Sequence, residues 1–309
     1  MSKRGFLDIS FSWVFAILIG AFILFLAIYG VTKFTKTASM SEDLELSKEI
    51  SFLLNPLETG FEQGIMIPLK LPTESRIKVE CDDFSEQGFQ EIIIQQEIYN
   101  KWTDTNTGTK EYNKYLFTDG FVQGKKFYLF SQPFEFPFKI SNLIYLTSSD
   151  KEYCFTGTPN SIEDELSKFN QSNIFLENCE SPSRISICFG QGNSCDINVN
   201  TIDQSIKKFE EETIYYSGNA LLYAGIFSDS FSYECQLNRL MKRATSLTKI
   251  YQEKATIHSR NNCDSYLSSD LGKLEAFLGT YSNSKDLKSI EGTINQLKGS
   301  NQHAECKLW

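Results

Sequence analysis

Within the 309 residues, 30 Lys and Arg stand against 39 Asp and Glu, and residues 37–309 alone carry a net charge of −12. Phosphate backbones are bound through clustered Lys and Arg. No such cluster occurs, so nucleic acid is excluded as an expected partner, while the negative sign suits solubility in an extracytoplasmic space.

The first element is Phe11 to Val31, a run of 21 residues without a charge. About 20 apolar residues cross the hydrocarbon core of a bilayer as a helix. The run is longer than the ~7–15 residues of a secretory h-region, and Thr37-Ala38-Ser39 is a poor cleavage site. The expectation is a retained transmembrane helix over residues 9–32, in contact with membrane lipid and preceded by a cytoplasmic tail over 1–8. Lys3 and Arg4 before the run nearly balance Lys33 and Lys36 after it, so charge barely sets the orientation. The cysteines set it instead. All eight follow the run: Cys81, Cys154, Cys179, Cys188, Cys195, Cys235, Cys263 and Cys306. An even count on one side, with no C-x-x-C, fits disulfides in an oxidising space. The N-terminus is therefore expected inside and the remainder outside the cell membrane.

Residues 33–57 are expected to form a juxtamembrane stalk helix. Leu46, Ile50, Leu53 and Leu57 recur at helical spacing, Ser41 stands where an N-cap would, and Asn55-Pro56 where a stop would. The apolar stripe should pack on the domain or on a neighbouring copy. Residues 58–203 then read as β-rich. Candidate strands cover 76–81, 90–98, 112–117, 126–131, 143–147, 153–155, 174–176, 185–189 and 196–199. Asp119-Gly120 has the composition of a tight hairpin turn. Residues 161–170 read as a short helix capped by Ser161, which makes a strand–helix–strand unit. Cys188 and Cys195 flank a Gly-rich link, and a hairpin there would bring them within bridging distance. Eight cysteines allow 105 pairings, so the rest stays open.

Residues 204–309 read as a helical segment, with 214–227 ambiguous between strand and helix. One stripe runs through Leu237, Leu240, Met241, Ala244, Leu247 and Tyr251, capped by Ser228 or Asp229. A second helix presents Leu267, Leu271, Leu274 and Leu278. A third presents Leu287, Ile290, Ile294 and Leu297 and stops at Gly299. The predicted class is α+β: a transmembrane helix continuing into a stalk, then a mainly antiparallel β domain and a C-terminal helical segment, disulfide-stabilised.

Chemistry-bearing motifs are incomplete. Zinc needs closely spaced ligands, and here six residues separate the closest cysteines. His258 and His303 have no partner motif, and no G-x-S-x-G occurs. Ser-x-x-Lys occurs at Ser205, Ser246 and Ser282 without its companion elements. Asp104 to Gly108 misses the calcium-loop pattern, with Thr109 and Tyr115 at the glycine and glutamate places. Gly120 to Lys126 misses the P-loop spacing. No metal or cofactor is expected, and an exported enzyme is the least favoured function class. Phe134, Phe136 and Phe138, between two prolines, form a candidate exposed contact patch, or else cap the core.

Lys3-Arg4-Gly5, followed by Phe6-Leu7-Asp8 and the apolar run, resembles the archaeal class III, or prepilin-type, leader. The resemblance implies cleavage between Gly5 and Phe6, with the helix then kept in the membrane or packed in a filament core. Bacterial pilins carry an acid five residues after the cut, where this chain has Ser10. The remainder resembles uncharacterised single-pass archaeal surface proteins. The expected role is a membrane-anchored surface protein with a structural, adhesive or ligand-binding domain; the alternative is a pilin-like filament subunit.

Overall fold

The structure, a computed structural model, describes residues 11–59, 66–176, 179, 183–190 and 195–309. Helix α1 (Phe11–Leu53) is continuous over 43 residues, about 65 Å at 1.5 Å per residue. Residues 12–38 are exposed on every side, and the stalk is the same helix carried on without a break. Ser41 therefore caps nothing: it lies in mid-helix. Asn55-Pro56 opens the short helix α2 (Asn55–Thr59) and so marks a boundary, with proline tolerated in a first helical turn.

The first sheet comprises β1 (Met66–Asp82), β2 (Phe89–Ile98), β3 (Lys101–Trp102), β4 (Thr109–Glu111), β5 (Tyr115–Phe117), β6 (Phe121–Glu135) and β7 (Lys139–Ser148), in the order β3-β2-β1-β6-β7-β5 with β4 on β2. Strand β4 pairs antiparallel with β2, and β5 pairs parallel with β7. Segment 109–117 thus joins the two ends of the sheet and closes a ring. Taking that segment as one broken strand, the ring has the strand order and strand senses of a five-stranded Greek-key barrel of the OB type. Closure needs strands that bend, and β1 supplies the bend: its register on β6 shifts between Lys70 and Ser75. The barrel interior holds Leu69, Ile77, Val79, Ile92, Ile94, Leu116, Val122, Phe127, Leu129, Ile144 and Leu146, and Ile50, Leu54 and Leu57 of the N-terminal helices complete it.

The second sheet runs β13-β12-β11-β10-β8-β9. Its strands are β8 (Tyr153–Thr156), β9 (Ile174–Leu176), β10 (Ile185–Phe189), β11 (Ile197–Asn200), β12 (Ser205–Lys208) and β13 (Ile214–Tyr215). Strands β8 and β9 are parallel and joined by α3 (Asn160–Lys168), so the strand–helix–strand unit is present. Its N-cap is Pro159 rather than Ser161. Strands β10 and β11 pair in parallel, which corrects the expected hairpin at Cys188 and Cys195. Asp119-Gly120 is no hairpin turn either, because it joins β5 to β6 and these are not neighbours.

Helices α4 (Gly218–Phe227), α5 (Ser230–Arg260), α6 (Ser268–Thr280) and α7 (Leu287–His303) complete the chain, α7 after a 3-10 turn at Ser284–Asp286. The ambiguous stretch resolves into β13 and α4, whose residues from Ala220 to Phe227 are all buried. Asp229 caps α5, its carboxylate accepting from the Ser232 N–H at 2.8 Å. Gly299 does not stop α7, which continues to His303. One large aromatic core joins these helices to the second sheet and the outer wall of the barrel. Phe130 sits at its centre, with ring centroids 4.5 Å from Phe169, 4.6 Å from Tyr145 and 5.4 Å from Phe227.

Four disulfides pair the eight cysteines: Cys81–Cys235, Cys154–Cys179, Cys188–Cys195 and Cys263–Cys306, with Cα separations of 5.6–6.2 Å. The first ties barrel strand β1 to α5 and the last ties the end of α5 to the segment beyond α7.

Candidate functional site

The junction of α1 with the barrel is the most elaborate polar site. Asp43, Ser47 and Ser51 lie on one face of α1, spaced by four, and all are buried. The Thr105 hydroxyl donates to Asp43 Oδ2 at 2.5 Å and the Gln96 amide to Oδ1 at 3.1 Å. Ser47 donates to the carbonyl of Ile92 at 2.6 Å and accepts from the Thr109 N–H at 3.1 Å. The Lys114 ammonium donates to the carbonyl of Ser51 at 3.0 Å and pairs with Glu111 at 2.9 Å. Buried polar groups need such partners, and here β2, the segment before β4, β4 itself and Lys114 provide them. Gly108 lets the 103–108 segment lie close on β2: a Cβ there would stand 2.0 Å from the Ile92 carbonyl oxygen. At the outer rim, Lys36 pairs with Asp104 at 2.6 Å. The Lys36 ammonium, by hydrogen bond and by charge, holds the Asp104 carboxyl below its usual range.

Segment 103–108 is therefore a clasp for the stalk. It does not span two paired strands as a hairpin loop would, since β3 and β4 both pair with β2. Among the expected stripe residues, Ile50 and Leu57 face the barrel, whereas Leu53 turns outward and is exposed.

A second polar knot fastens α5 to the ring-closing segment. Arg239 is wholly buried. Its guanidinium donates to the carbonyls of Tyr112 at 2.8 Å, Glu111 at 3.2 Å and Lys114 at 3.2 Å, and to Gln236 Oε1 at 2.5 Å. It also lies 4.9 Å from the Tyr115 ring centre. Burial lowers its pKa to about 10, so it remains charged at neutral pH. Gly88, at φ +64°, leaves room for it: a Cβ there would stand 2.7 Å from Arg239 Cγ. Beside this knot is a cavity of about 150 Å3 lined by Tyr112, Asn113, Tyr115, Lys242, Arg243 and Leu247, among others.

Phe134, Phe136 and Phe138 are buried at 2%, 2% and 1% exposure, which decides for the core-capping reading and against the exposed contact patch. They belong to the large aromatic core; the Phe138 ring centroid lies 4.4 Å from that of Tyr251, tilted, and 5.3 Å from that of Trp309, edge to face. Proline did not end the strand: Pro133 lies in β6 opposite Asn142, beyond the last described β1 partner, Met66 opposite Phe130. A cleft of about 410 Å3 opens beside Phe138, Tyr251 and Trp309, rimmed by Lys298 and Lys307.

The other singled-out residues fall apart spatially or serve the fold. Lys208, of the Ser205 motif, donates to the carbonyls of Ile226 and Ser228 at the end of α4, and burial lowers its pKa. His258 stands in the last turn of α5 and His303 in the last turn of α7. Among the described residues, no three His, Cys, Asp or Glu side chains converge as a metal site would require. Gly5 and Phe6 lie outside the described residues. The buried Asp43, Ser47 and Arg239 were missed in sequence. A carboxylate and two hydroxyls at four-residue spacing inside a leucine-containing stripe were the available signal.

Comparison with known proteins finds no matching family model, no similar curated protein and no similar solved structure.

Proposed function

We propose that the chain is a single-pass, membrane-anchored surface protein whose extracytoplasmic, disulfide-stapled domain serves attachment, adhesion or ligand binding. One observation carries this reading. Helix α1 exposes apolar side chains all round its first half and buries its last turns in the barrel, without interruption between. A helix whose first half suits lipid and whose last turns suit a protein interior supports an anchored domain. The cysteine pairing supports an oxidising location for the domain.

The test is extraction of native membranes with alkaline carbonate, followed by protease added from outside and by alkylation without reductant. The expected result is a protein retained in the membrane, digested from outside, with no cysteine labelled. Release by carbonate, or labelling at most cysteines, overturns the reading.

A pilin-like subunit is the second reading. It is favoured by the same projecting helix, since filament cores are built by packing such helices against copies. It requires cleavage after Gly5 and filaments on sheared cells that vanish in Gly5→Leu. Intact mass and electron microscopy decide it.

A further inference from the structure

Strand β2 runs alongside α1 toward the apolar half. Ile92 is bonded at Ser47 and the Gln96 side chain at Asp43, so successive contacts along β2 step back along α1 toward its N-terminus. Beyond Gln96 the strand continues to Ile98, turns at Tyr99 and Asn100, and returns as β3, with Ile98 opposite Lys101 and Glu97 opposite Trp102. The chain then reaches Asp104, which holds Lys36. The tip of this hairpin therefore stands near the level of Lys36. Val31, the last residue of the uncharged run, is five residues away, about 7.5 Å along the axis.

The polar layer on each side of a bilayer is about 5–8 Å thick. A span ending near Val31 thus sets the tip against the headgroups. The chemistry there fits that layer. Tyr99 is 96% exposed, Ile98 is exposed beside it, and Lys101 is exposed on the return strand. Trp102 is half-buried, with the Arg76 guanidinium 3.9 Å from its ring centre. Lys33 and Lys36 stand on the adjoining turns of the helix. Amphipathic aromatic rings with lysines are the groups that settle at a membrane interface. Tyr99 is also held at φ +51° and Asn100 at φ +58°. A two-residue turn of this kind favours Asn and Gly, and a bulky ring at its first place is an outlier.

We propose that the β2–β3 hairpin tip, with Tyr99 at its apex, is a second membrane contact, seated among lipid headgroups beside the transmembrane helix. It sets the tilt of rod and barrel together against the bilayer. The proposal rests on the anchored reading above.

The test places the photo-crosslinker benzoylphenylalanine at one position at a time in the full chain. The chain is reconstituted in proteoliposomes of phosphatidylcholine and phosphatidylglycerol, irradiated and analysed by mass spectrometry. Three positions are compared: Phe25 within the apolar run, Tyr99, and Phe84. Phe84 is equally exposed at 96% but sits in the β1–β2 connection, at the opposite end of β2. All three side chains are exposed, so each variant should fold, and circular dichroism checks this. Lipid adducts at Phe25 and Tyr99, with only background at Phe84, support the foot. An adduct at Phe25 with Tyr99 no higher than Phe84 overturns the foot while leaving the anchor intact. Peptide adducts from another copy at Tyr99, in place of lipid, overturn it in favour of a contact between copies. Loss of the lipid adduct at Phe25 itself overturns the anchored reading, and the foot with it.

Discussion

The two halves of α1 obey different rules. From Ser12 to Val31 the helix is apolar and exposed all round; from Asp43 to Ser51 it buries an aspartate and two serines, each with a named partner, and sends Ile50 into the barrel interior. In the first half the side chains need only be apolar, because lipid has no register. In the second half position matters: each serine and the aspartate must meet a particular hydroxyl, amide or carbonyl, and each leucine a particular space. A helix that leaves a membrane and enters a protein changes from composition to complementarity, and here the change takes about a dozen residues, around three turns.

Truncation tests this contrast most severely. Deleting residues 1–36 removes the uniform half and should give a soluble, folded domain. Deleting residues 1–57 also removes Ile50, Leu54 and Leu57 from the barrel interior, and no folded domain should be recovered. Near-ultraviolet circular dichroism of both products checks this, and a folded 58–309 fragment would show that the barrel does not need its stalk. Point substitutions come next. Leu54→Ala should cost about 2–5 kcal/mol of stability, the usual range for emptying a packed core site. Leu24→Ala should leave the thermal midpoint in detergent unchanged.

Asp43→Leu should cost about 1–3 kcal/mol, because the Thr105 hydroxyl and the Gln96 amide lose their acceptor in a buried place. An unchanged midpoint would mean that the polar seam is ornamental and that leucines alone hold the stalk. The smallest effect belongs to Lys36 and Asp104 at the rim. The carboxyl of Asp104 is held below its ordinary value of 3.8 by Lys36. Its contribution is therefore present above that value and lost as pH falls through the lowered one. Lys36→Met should flatten the stability–pH curve in that acid range and change little at neutral pH, as expected for an exposed ion pair. Urea titrations at stepped pH would read the difference.

Periodicity was the legible part of this sequence. The uncharged run, the stripes of α5, α6 and α7 and most strand positions follow from spacing alone, since each depends on neighbours a few residues away. The misreadings share a cause in longer-range contacts. Ser41 resembles a cap only while the stalk is taken as a separate helix. Asp119-Gly120 resembles a hairpin turn only while β5 is assumed to pair with the next strand, whereas it lies on β7. For Phe134, Phe136 and Phe138 the two readings, surface patch or core cap, part only once Tyr251 of α5 and Trp309 are seen to cover Phe138. The polar seam was only half legible: the four-residue spacing of Asp43, Ser47 and Ser51 is visible locally, but Asp43 and Thr105 are 62 residues apart, and nothing local marks Thr105 as its partner.

The unbroken course of α1 couples height to heading. Residues Val31 and Lys36 lie on one rigid rod, so the barrel has no hinge there about which to settle. One residue added between them would lift the barrel about 1.5 Å and swing it about 100° around the rod, carrying Tyr99 to another bearing. Seven would lift it about 10.5 Å and bring it round to within about 20° of its first heading. Length changes in this stretch therefore act as changes of phase: some spacings return the same face of the domain to the same side, and the rest turn it away.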